Sequence, residues 1–428
     1  MPPIQDHELR YALANELHAR PFPPLRAPCF AAYLAIKRPT DALGRDRSED
    51  VAHLHALLDR YGAAHPPAGA NHYFGEIGKY RLKWEQHTEF VTYTILGEGI
   101  AEKPFDPKVF DVFPADWLEQ APGVRITSAL VRVEKRPDEA TMAKKIAGWF
   151  VPESLAASQV LDGAASVAGD FRIDEGGHMR FAVFADSEIT ERRIGRIVTR
   201  ITEIETYKAM SMLGLARARA ISGQLGEIED ELSSLVRGLG ATESNHEAEL
   251  RELLKLAADL ESLHAQTSYR FGATRAYEAI VTDRIRVLRE ERWGGRQTLH
   301  EFMMRRYDPA MRTVKSAEER LRDMAERANR AGELLRTQID VERSAQNQKL
   351  LESMNRRADL QLRLQETVEG LSVVAISYYA VSLLAYLVEP VAAEIGIDKT
   401  WAKAGLVLPV VLAVWLLGKV IRRKLIHK

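Results

Sequence analysis

The chain has 428 residues, of which 46% are hydrophobic, and its 59 basic and 60 acidic side chains give a formal net charge of −1. This length exceeds one typical core and predicts two or three packed units. Such a balanced charge supplies no overall field that would gather nucleic acid, which we therefore exclude as a partner. The one cysteine, Cys29, excludes an internal disulfide framework and fits a reducing compartment.

Residues 1–186 are predicted to fold as an α+β domain. Runs of apolar, β-branched and aromatic residues recur between turn signals, as strands do, at 30–36, 80–84, 89–96, 124–133 and 179–184. The second and third runs lie between Gly78 and Gly97 and predict an antiparallel hairpin. Because the N-terminus shows no signal-peptide pattern, we expect this domain to stay in the cytosol.

From residue 187 the strand signal ends, and apolar residues recur three and four apart, which predicts a helical domain over 187–307. Asp308 and Pro309 then favour the start of a long stalk helix over 308–370, since Asp is a preferred N-cap and Pro a preferred first helical residue. If it continues to a membrane, this helix is about 120 Å long at roughly 1.5 Å per residue. Its first part carries a heptad seam of Val314, Ala317, Leu321, Met324, Ala328, Ala331 and Leu335.

Two apolar segments near the C-terminus predict a two-helix transmembrane hairpin. The predicted spans are 371–388 and 404–421, joined by an external loop at 389–403 and followed by a basic cytosolic tail at 422–428. A span needs about 20 apolar residues, and both segments approach that length once flanking side chains reach the interface. The alternative is a buried hairpin in a soluble bundle.

Basic residues near the spans predict their orientation. Arg356, Arg357 and Arg363 precede the first span, and Arg422 and Arg423 follow the second. Since lysine and arginine concentrate on the cytoplasmic side, both termini are expected in the cytoplasm. The predicted location is the cytoplasmic membrane, with the lipid bilayer as a partner.

One face of the first span is polar. On a helix with roughly 100° per residue, an arc of about 120° gathers the candidate pore- or bundle-lining residues Ser372, Tyr378, Tyr379, Ser382, Tyr386 and Glu389. This arc either packs on the second span or a neighbouring copy, with hydroxyls bonding across helices, or lines a water-filled path. Because two spans cannot enclose a pore, the second alternative requires a ring of subunits.

A second candidate site lies near the N-terminus, where polar side chains precede Pro21. Its members are Asn15, Glu16, His18 and Arg20. One interpretation is a helix C-terminus closed by prolines, with cationic side chains on the terminal carbonyls. The other is a ligand or subunit contact. The segment His87 to Glu89 is interpreted in the same way, as a hairpin corner rather than an acid/base pair.

Motifs of the common enzyme classes are absent from the sequence: a Walker-type glycine loop, GxGxxG, a nucleophile elbow and HExxH. The closest histidine pair, His53 and His55, would point about 200° apart on a helix, which is the wrong geometry for joint metal ligation. We therefore expect no enzyme and no metal site, and the sequence names no cofactor.

Several segments resemble a bacterial domain-of-unknown-function family of uncharacterised membrane-anchored proteins, over nearly the whole chain. They are Asn15 to Pro21, His87 to Phe90, Ile204 to Tyr207, Gln346 with Asn347, Ser353 with Met354, and 361–379. This resemblance implies membrane anchoring and assigns no activity or site.

The layout more distantly resembles the CorA-type magnesium transporters, which are pentamers with a long helix running into the first of two spans. The Gly-Met-Asn signature of that superfamily is absent, and Val388, Glu389 and Pro390 occupy the comparable place. The resemblance therefore implies a pentamer and a divalent cation as a partner, without magnesium selectivity.

Together these features predict a homo-oligomeric membrane-anchored protein with a cytosolic sensing or docking domain, extended by the CorA-like layout to cation transport. The alternative is a non-conducting membrane-tethered scaffold whose long helix recruits partners. An enzyme in the α+β domain is the third hypothesis.

Overall fold

The computed structural model describes residues 4–16, 22–39, 46–238, 245–395 and 398–426. The chain divides into two units, one formed by Met1–Glu243 with Arg251–Ala331 and the other by Ser244–Leu250 with Gly332–Lys428. Each is described below by itself.

In the first unit, the described residues form one nine-stranded sheet in the order β2-β3-β4-β1-β5-β8-β7-β6-β9. Only β5 and β8 pair in parallel, and the other neighbours are antiparallel. The strands are β1 (Cys29–Lys37), β2 (His72–Ile77), β3 (Tyr80–Gln86), β4 (Phe90–Glu98), β5 (Val124–Lys135), β6 (Ala156–Val160), β7 (Ala165–Gly169), β8 (Met179–Ala185) and β9 (Glu291–Arg292).

The five predicted strand runs coincide with β1, β3, β4, β5 and β8, and the predicted hairpin of β3 and β4 is confirmed. Strands β6 and β7 were missed because they consist largely of alanine, serine and glycine, which give no β-branched or aromatic signal. Packing explains the small residues: a Cβ on Gly169 would lie 2.7 Å from the ring of Phe181 on the neighbouring strand β8.

One face of the sheet carries the main hydrophobic core. Because side chains alternate between faces along a strand, Ala32, Leu34 and Ile36 of β1 lie on this face together. Helices α2 (Ser48–Arg60), α3 (Ala115–Glu119) and α4 (Glu139–Trp149) cover it. The largest fully buried side chains of this core include Trp84, Trp117, Tyr93, Leu54, Leu57 and Leu58. A short helix, α1 (Arg10–Glu16), precedes β1.

Five helices follow β8 in the described part of the chain, and all but α7 are long, as predicted. They are α5 (Glu191–Gly238), α6 (His246–Arg286), α7 (Leu299–Arg306), α8 (Asp308–Glu394) and α9 (Lys399–Ile426). One feature departs from the prediction that all strands end before residue 187, because β9 returns to the sheet and pairs with β6.

Of the predicted seam on α8, Val314, Leu321, Met324, Ala328 and Ala331 are buried and Ala317 is half-buried. Polar pairs beside it join α8 to other helices of the first unit, since Arg320 Nε donates to Glu229 Oε2 of α5 at 2.6 Å and Lys315 Nζ donates to Glu278 of α6. The seam therefore packs within this chain.

The fold class predicted from the sequence is confirmed: an α+β domain precedes helices that include one very long member and end in two apolar helices. Helix α8 continues through Pro390 to Glu394, beyond the apolar run that ends at Val388. The apolar run marks where a helix could contact lipid, whereas backbone hydrogen bonding decides where the helix ends.

Candidate functional site

A cavity of about 350 Å³ lies in the first unit, on the face of the sheet opposite the main core. Strands β1, β3 and β4 form its floor and α5 forms its roof. Its volume falls within the range of about 300–1,000 Å³ that is typical of small-molecule sites.

The alternation of side chains along β3 and β4 gives the cavity its polar floor. Leu82 and Trp84 of β3 enter the core, so Lys83 and Glu85 point to the other face and line the cavity. In β4 the same alternation sends Val91, Tyr93 and Ile95 into the core and Thr92, Thr94 and Leu96 to the cavity.

Two ion-pair groups lie in the cavity. Lys83 Nζ is 2.7 Å from Glu85 Oε2, and both side chains are largely buried. Glu203 of α5 accepts a hydrogen bond from Arg200 Nη1 at 2.6 Å, and Arg284 Nε forms an ion pair with the same carboxylate oxygen at 2.7 Å. Three cationic side chains and two carboxylates therefore line the cavity, and Arg284 also pairs with its neighbour Asp283.

Aromatic rings form one wall of the cavity. His87 stacks on Phe90 with ring centroids 4.3 Å apart, and Tyr207 meets His87 edge to face at 6.2 Å. Behind them Tyr277 of α6 lies 5.6 Å from the Tyr207 ring. This wall unites two of the segments that carry the family resemblance, the one at His87 and the one ending at Tyr207.

The buried carboxylate of Glu89 holds the turn between β3 and β4 in place. Glu89 is 2% exposed and accepts hydrogen bonds from Arg270 Nη2 at 2.6 Å and from the Tyr277 hydroxyl at 2.9 Å. Burial, followed by the charge of Glu89, raises the pKa of Tyr277 above its usual range, so the phenol stays protonated and donates. The segment His87 to Glu89 is thus the predicted hairpin corner.

The chain just after the N-terminal candidate site also borders the cavity. Phe22 and Pro23 line it, and the Phe22 ring lies 5.2 Å from the guanidinium of Arg200. Helix α5 approaches this segment closely, because a Cβ on Gly195 would lie 1.7 Å from the Pro23 carbonyl oxygen. Glycine is therefore required at residue 195.

The structure places the N-terminal candidates only in part. The backbone of Asn15 and Glu16 forms the last turn of α1, whereas His18 and Arg20 lie outside the described residues. The ligand or subunit contact stays a prediction. The alternative of a helix C-terminus closed by prolines also stays a prediction, because the described segment stops at Glu16.

Histidines 53 and 55 occupy different surroundings. His53 Nε2 is 3.0 Å from the Trp117 carbonyl oxygen and its ring stacks on Trp117, whereas His55 stacks on His65. Burial lowers the pKa of His53, because the charged imidazolium is disfavoured in the core. Within the described ranges, no group of three His, Cys, Asp or Glu side chains could hold a metal ion.

In the second unit, the polar arc of α8 is turned to the outside. Tyr378, Tyr379 and Tyr386 are 70%, 68% and 75% exposed. The hydroxyls of Ser372 and Ser382 donate to carbonyl oxygens one turn earlier, at 2.7 and 2.9 Å. These two hydroxyls therefore need no partner outside the helix.

A different face of α8 lies along α9. Gly370 and Val373 of α8 line a cavity together with Trp415 and Gly418 of α9, and Ser377 is buried. The Ser377 hydroxyl has no hydrogen-bond partner among the residues that the structure describes. The tyrosine-bearing arc thus does not pack on the second apolar helix, which leaves a neighbouring copy, lipid or a water-filled path as its environment.

Sequence reasoning missed the cavity. Its charged members, Lys83, Glu85, Arg200, Glu203 and Arg284, lie on elements far apart in the chain. One signal could have found part of it: Lys83 and Glu85 of β3 and Thr92 and Thr94 of β4 are polar, although apolar residues at the alternate positions indicate buried strands.

Fold and cavity together define an α+β protein with a charged cavity between its sheet and α5. Its two C-terminal helices are long and apolar enough to cross a membrane. The chain belongs to the family described as protein of unknown function (DUF3422), whose model matches residues 5–425. The resemblance to a domain-of-unknown-function family is thereby confirmed. Neither a curated protein nor a solved structure matches the chain.

Proposed function

We propose that the chain is a homo-oligomeric protein of the bacterial inner membrane whose cytosolic domain senses a small molecule. The observation that carries the membrane assignment is the exposure of both apolar windows: they have mean hydropathies of 2.0 and 1.8, and only 11% and 6% of their residues are buried. So much apolar surface is unfavourable in water and is covered by lipid.

The positive-inside rule places both termini in the cytoplasm. A cysteine-labelling experiment in whole cells tests this, starting from a Cys29→Ser background. Asp398→Cys, between α8 and α9, should react with a membrane-impermeant maleimide from outside. Asp111→Cys, on the exposed surface of the first unit, should react only after permeabilisation. External labelling at residue 111 would contradict the orientation, and recovery of the full chain in the soluble fraction would contradict the anchor.

Self-association is supported by apolar side chains on the middle of α8. Leu350, Met354, Leu360, Leu364 and Val368 are all more than half exposed. At about 100° per residue they fall within an arc of roughly 120°, the pattern of a helix face that packs on a partner. A mass measurement of the detergent-solubilised protein should give an oligomer, a pentamer on the CorA-like layout, and a monomer would contradict the proposal.

Cation conduction is a second candidate, favoured by the polar arc of Tyr379, Ser382, Tyr386 and Glu389, whose two tyrosines are exposed. In a ring of subunits, carboxylates at a pore mouth attract cations. Glu389→Gln should then reduce divalent-cation flux into proteoliposomes without changing assembly, and Ser382→Leu should narrow the path. If the assembled protein passes no cation above empty vesicles, the non-conducting scaffold replaces this candidate.

A further inference from the structure

We infer that the cavity between the sheet and α5 binds a small organic anion, with its carboxylate or phosphate on Arg200 and Arg284 and a planar body against His87 and Tyr207. This inference rests on the proposed sensing function and gives it a site and a ligand class.

The two guanidiniums hold more donors than their carboxylate partner can use. Each arginine carries five N–H donors, whereas one carboxylate offers about four lone-pair sites. Both arginines lie within 2.7 Å of a single oxygen of Glu203; Arg200 Nη1 donates a hydrogen bond to it, and Arg284 Nη1 donates one to its neighbour Asp283. Arg200 Nε is buried and has no hydrogen-bond partner in the described part of the chain. Donor capacity therefore remains for a second anion.

Both carboxylates that line the cavity already have cationic partners, which favours an anion over a cation as the ligand. Glu85 is already paired with Lys83, and Glu203 is paired twice, so an incoming cation would have to displace a guanidinium or an ammonium. Because these side chains are mostly buried, their interactions with a ligand are less screened than on an open surface.

The Phe22 ring stacks on Arg200 and holds its guanidinium in place before any ligand binds. The Phe22 ring lies 5.3 Å from the guanidinium of Arg196 and 5.2 Å from that of Arg200. A guanidinium on an aromatic face keeps its edge free for bidentate recognition of a carboxylate or phosphate. Ordering Arg200 in advance reduces the entropy lost on binding.

The aromatic wall selects the body of the ligand. His87 and Tyr207 stand edge to face, so a flat ring can pack against either of them in the offset or perpendicular arrangements that aromatic pairs prefer. The Thr94 and Thr199 side chains line the same cavity and offer hydroxyls to polar substituents. A ring that carries one anionic group matches this combination of charge and shape.

Calorimetry on the full-length protein in detergent tests the inference with phenyl phosphate and benzoate as probes. Inorganic phosphate should bind more weakly than phenyl phosphate, and benzylamine, which has the same ring with a positive charge, should not bind. Binding of benzylamine as tight as that of benzoate, or no binding of either aromatic anion, would overturn the inference.

Arginine variants then locate the site. Arg200→Gln should weaken phenyl phosphate binding about tenfold or more, because a charge-assisted hydrogen bond is lost. Arg200→Lys keeps the charge without the fork and should weaken it less. Arg219→Gln, on an exposed part of the same helix, is the matched control and should change nothing. Unchanged binding by Arg200→Gln, checked as folded by its unfolding temperature, would place the anion elsewhere.

The outcome is separable from the membrane proposal. Binding is measured in detergent and needs no particular orientation, whereas cysteine labelling in cells needs no ligand. If labelling succeeds and neither aromatic anion binds, only the ligand inference fails. If the anions bind and the chain fractionates as soluble, the anchor fails and the cavity assignment stands.

Discussion

Glu89 shows how one buried charge fixes the position of a turn. Its carboxylate lies between Arg270 and Tyr277 of α6, so the corner of the β3–β4 hairpin cannot move without separating an ion pair that is almost excluded from solvent. The turn in turn positions His87 on the wall of the cavity. Removing one member of a buried pair leaves the other charge uncompensated.

Glu89→Gln should therefore lower the free energy of unfolding by about 3–5 kcal/mol. Glu76→Gln, on an exposed position of β2, should change it by less than about 0.5 kcal/mol. Urea unfolding followed by tryptophan fluorescence measures both. Equal free energies of unfolding for the two variants would show that the Glu89–Arg270 ion pair does not stabilise the fold.

Two buried histidines predict acid sensitivity. Burial lowers the pKa of both His53 and His178 below the usual value near 6.5. Because the unfolded chain then binds protons more readily than the folded one, stability is full above about pH 6.5 and falls as the pH drops through the lowered values. The unfolding temperature should fall between pH 7 and 5, and His53→Gln should flatten this dependence. A flat profile for the natural chain would contradict the assignment.

Among the elements, α5 is the one whose position creates the cavity. Its close approach to the segment after Pro21 depends on Gly195, whereas Gly223, on the same helix, faces open space. These two glycines provide a matched pair, because alanine favours a helix at both but fits at only one.

Gly195→Ala should lower the free energy of unfolding by about 1–3 kcal/mol, since the new methyl group displaces the Pro23 backbone. Gly223→Ala should raise it by about 0.5–1 kcal/mol through helix propensity alone. Opposite signs in thermal unfolding are the expected result. A stabilising effect at residue 195 would show that the N-terminal segment is not held against α5.

Elements differ in how far the sequence predicted them. Strands such as β1 and β4 carry β-branched and aromatic residues, a local signal, and were found. Strands β6 and β7 form because they pair with neighbouring strands of the sheet. Their own residues carry little strand signal, so a local sequence pattern does not predict them. The cavity is harder to predict than the strands, because Lys83 and Arg284 come to line one cavity only after the sheet and the helices pack.

At the scale of the whole molecule, the apolar C-terminal helices were predictable because hydropathy is a property of each segment alone. The subunit number was not predictable in this way, because it depends on surfaces of different chains that contact one another. Our proposal of self-association rests on the exposed apolar arc on the middle of α8.

The double variant Leu360→Glu with Leu364→Glu should convert the detergent-solubilised oligomer into smaller species, because two carboxylates in that arc would be buried or would repel their copies. Gln348→Glu with Asn355→Glu adds the same charge on the opposite face and should leave the mass unchanged. Light scattering distinguishes the two. An unchanged mass for the leucine variant would exclude the arc as the contact.

The return of β9 to the sheet has a consequence for how the protein avoids aggregation. Strand β6 would otherwise present an open row of backbone donors and acceptors, but β9 pairs with Ser158 and Gln159, and the carbonyls of Leu288 and Gln297 accept from the amides of Leu161 and Ala157. Unprotected strand edges recruit strands from other molecules. A fragment that ends at residue 186 would lose this cover, so the β6 edge of the sheet is protected only after about a hundred further residues have been synthesised and folded back.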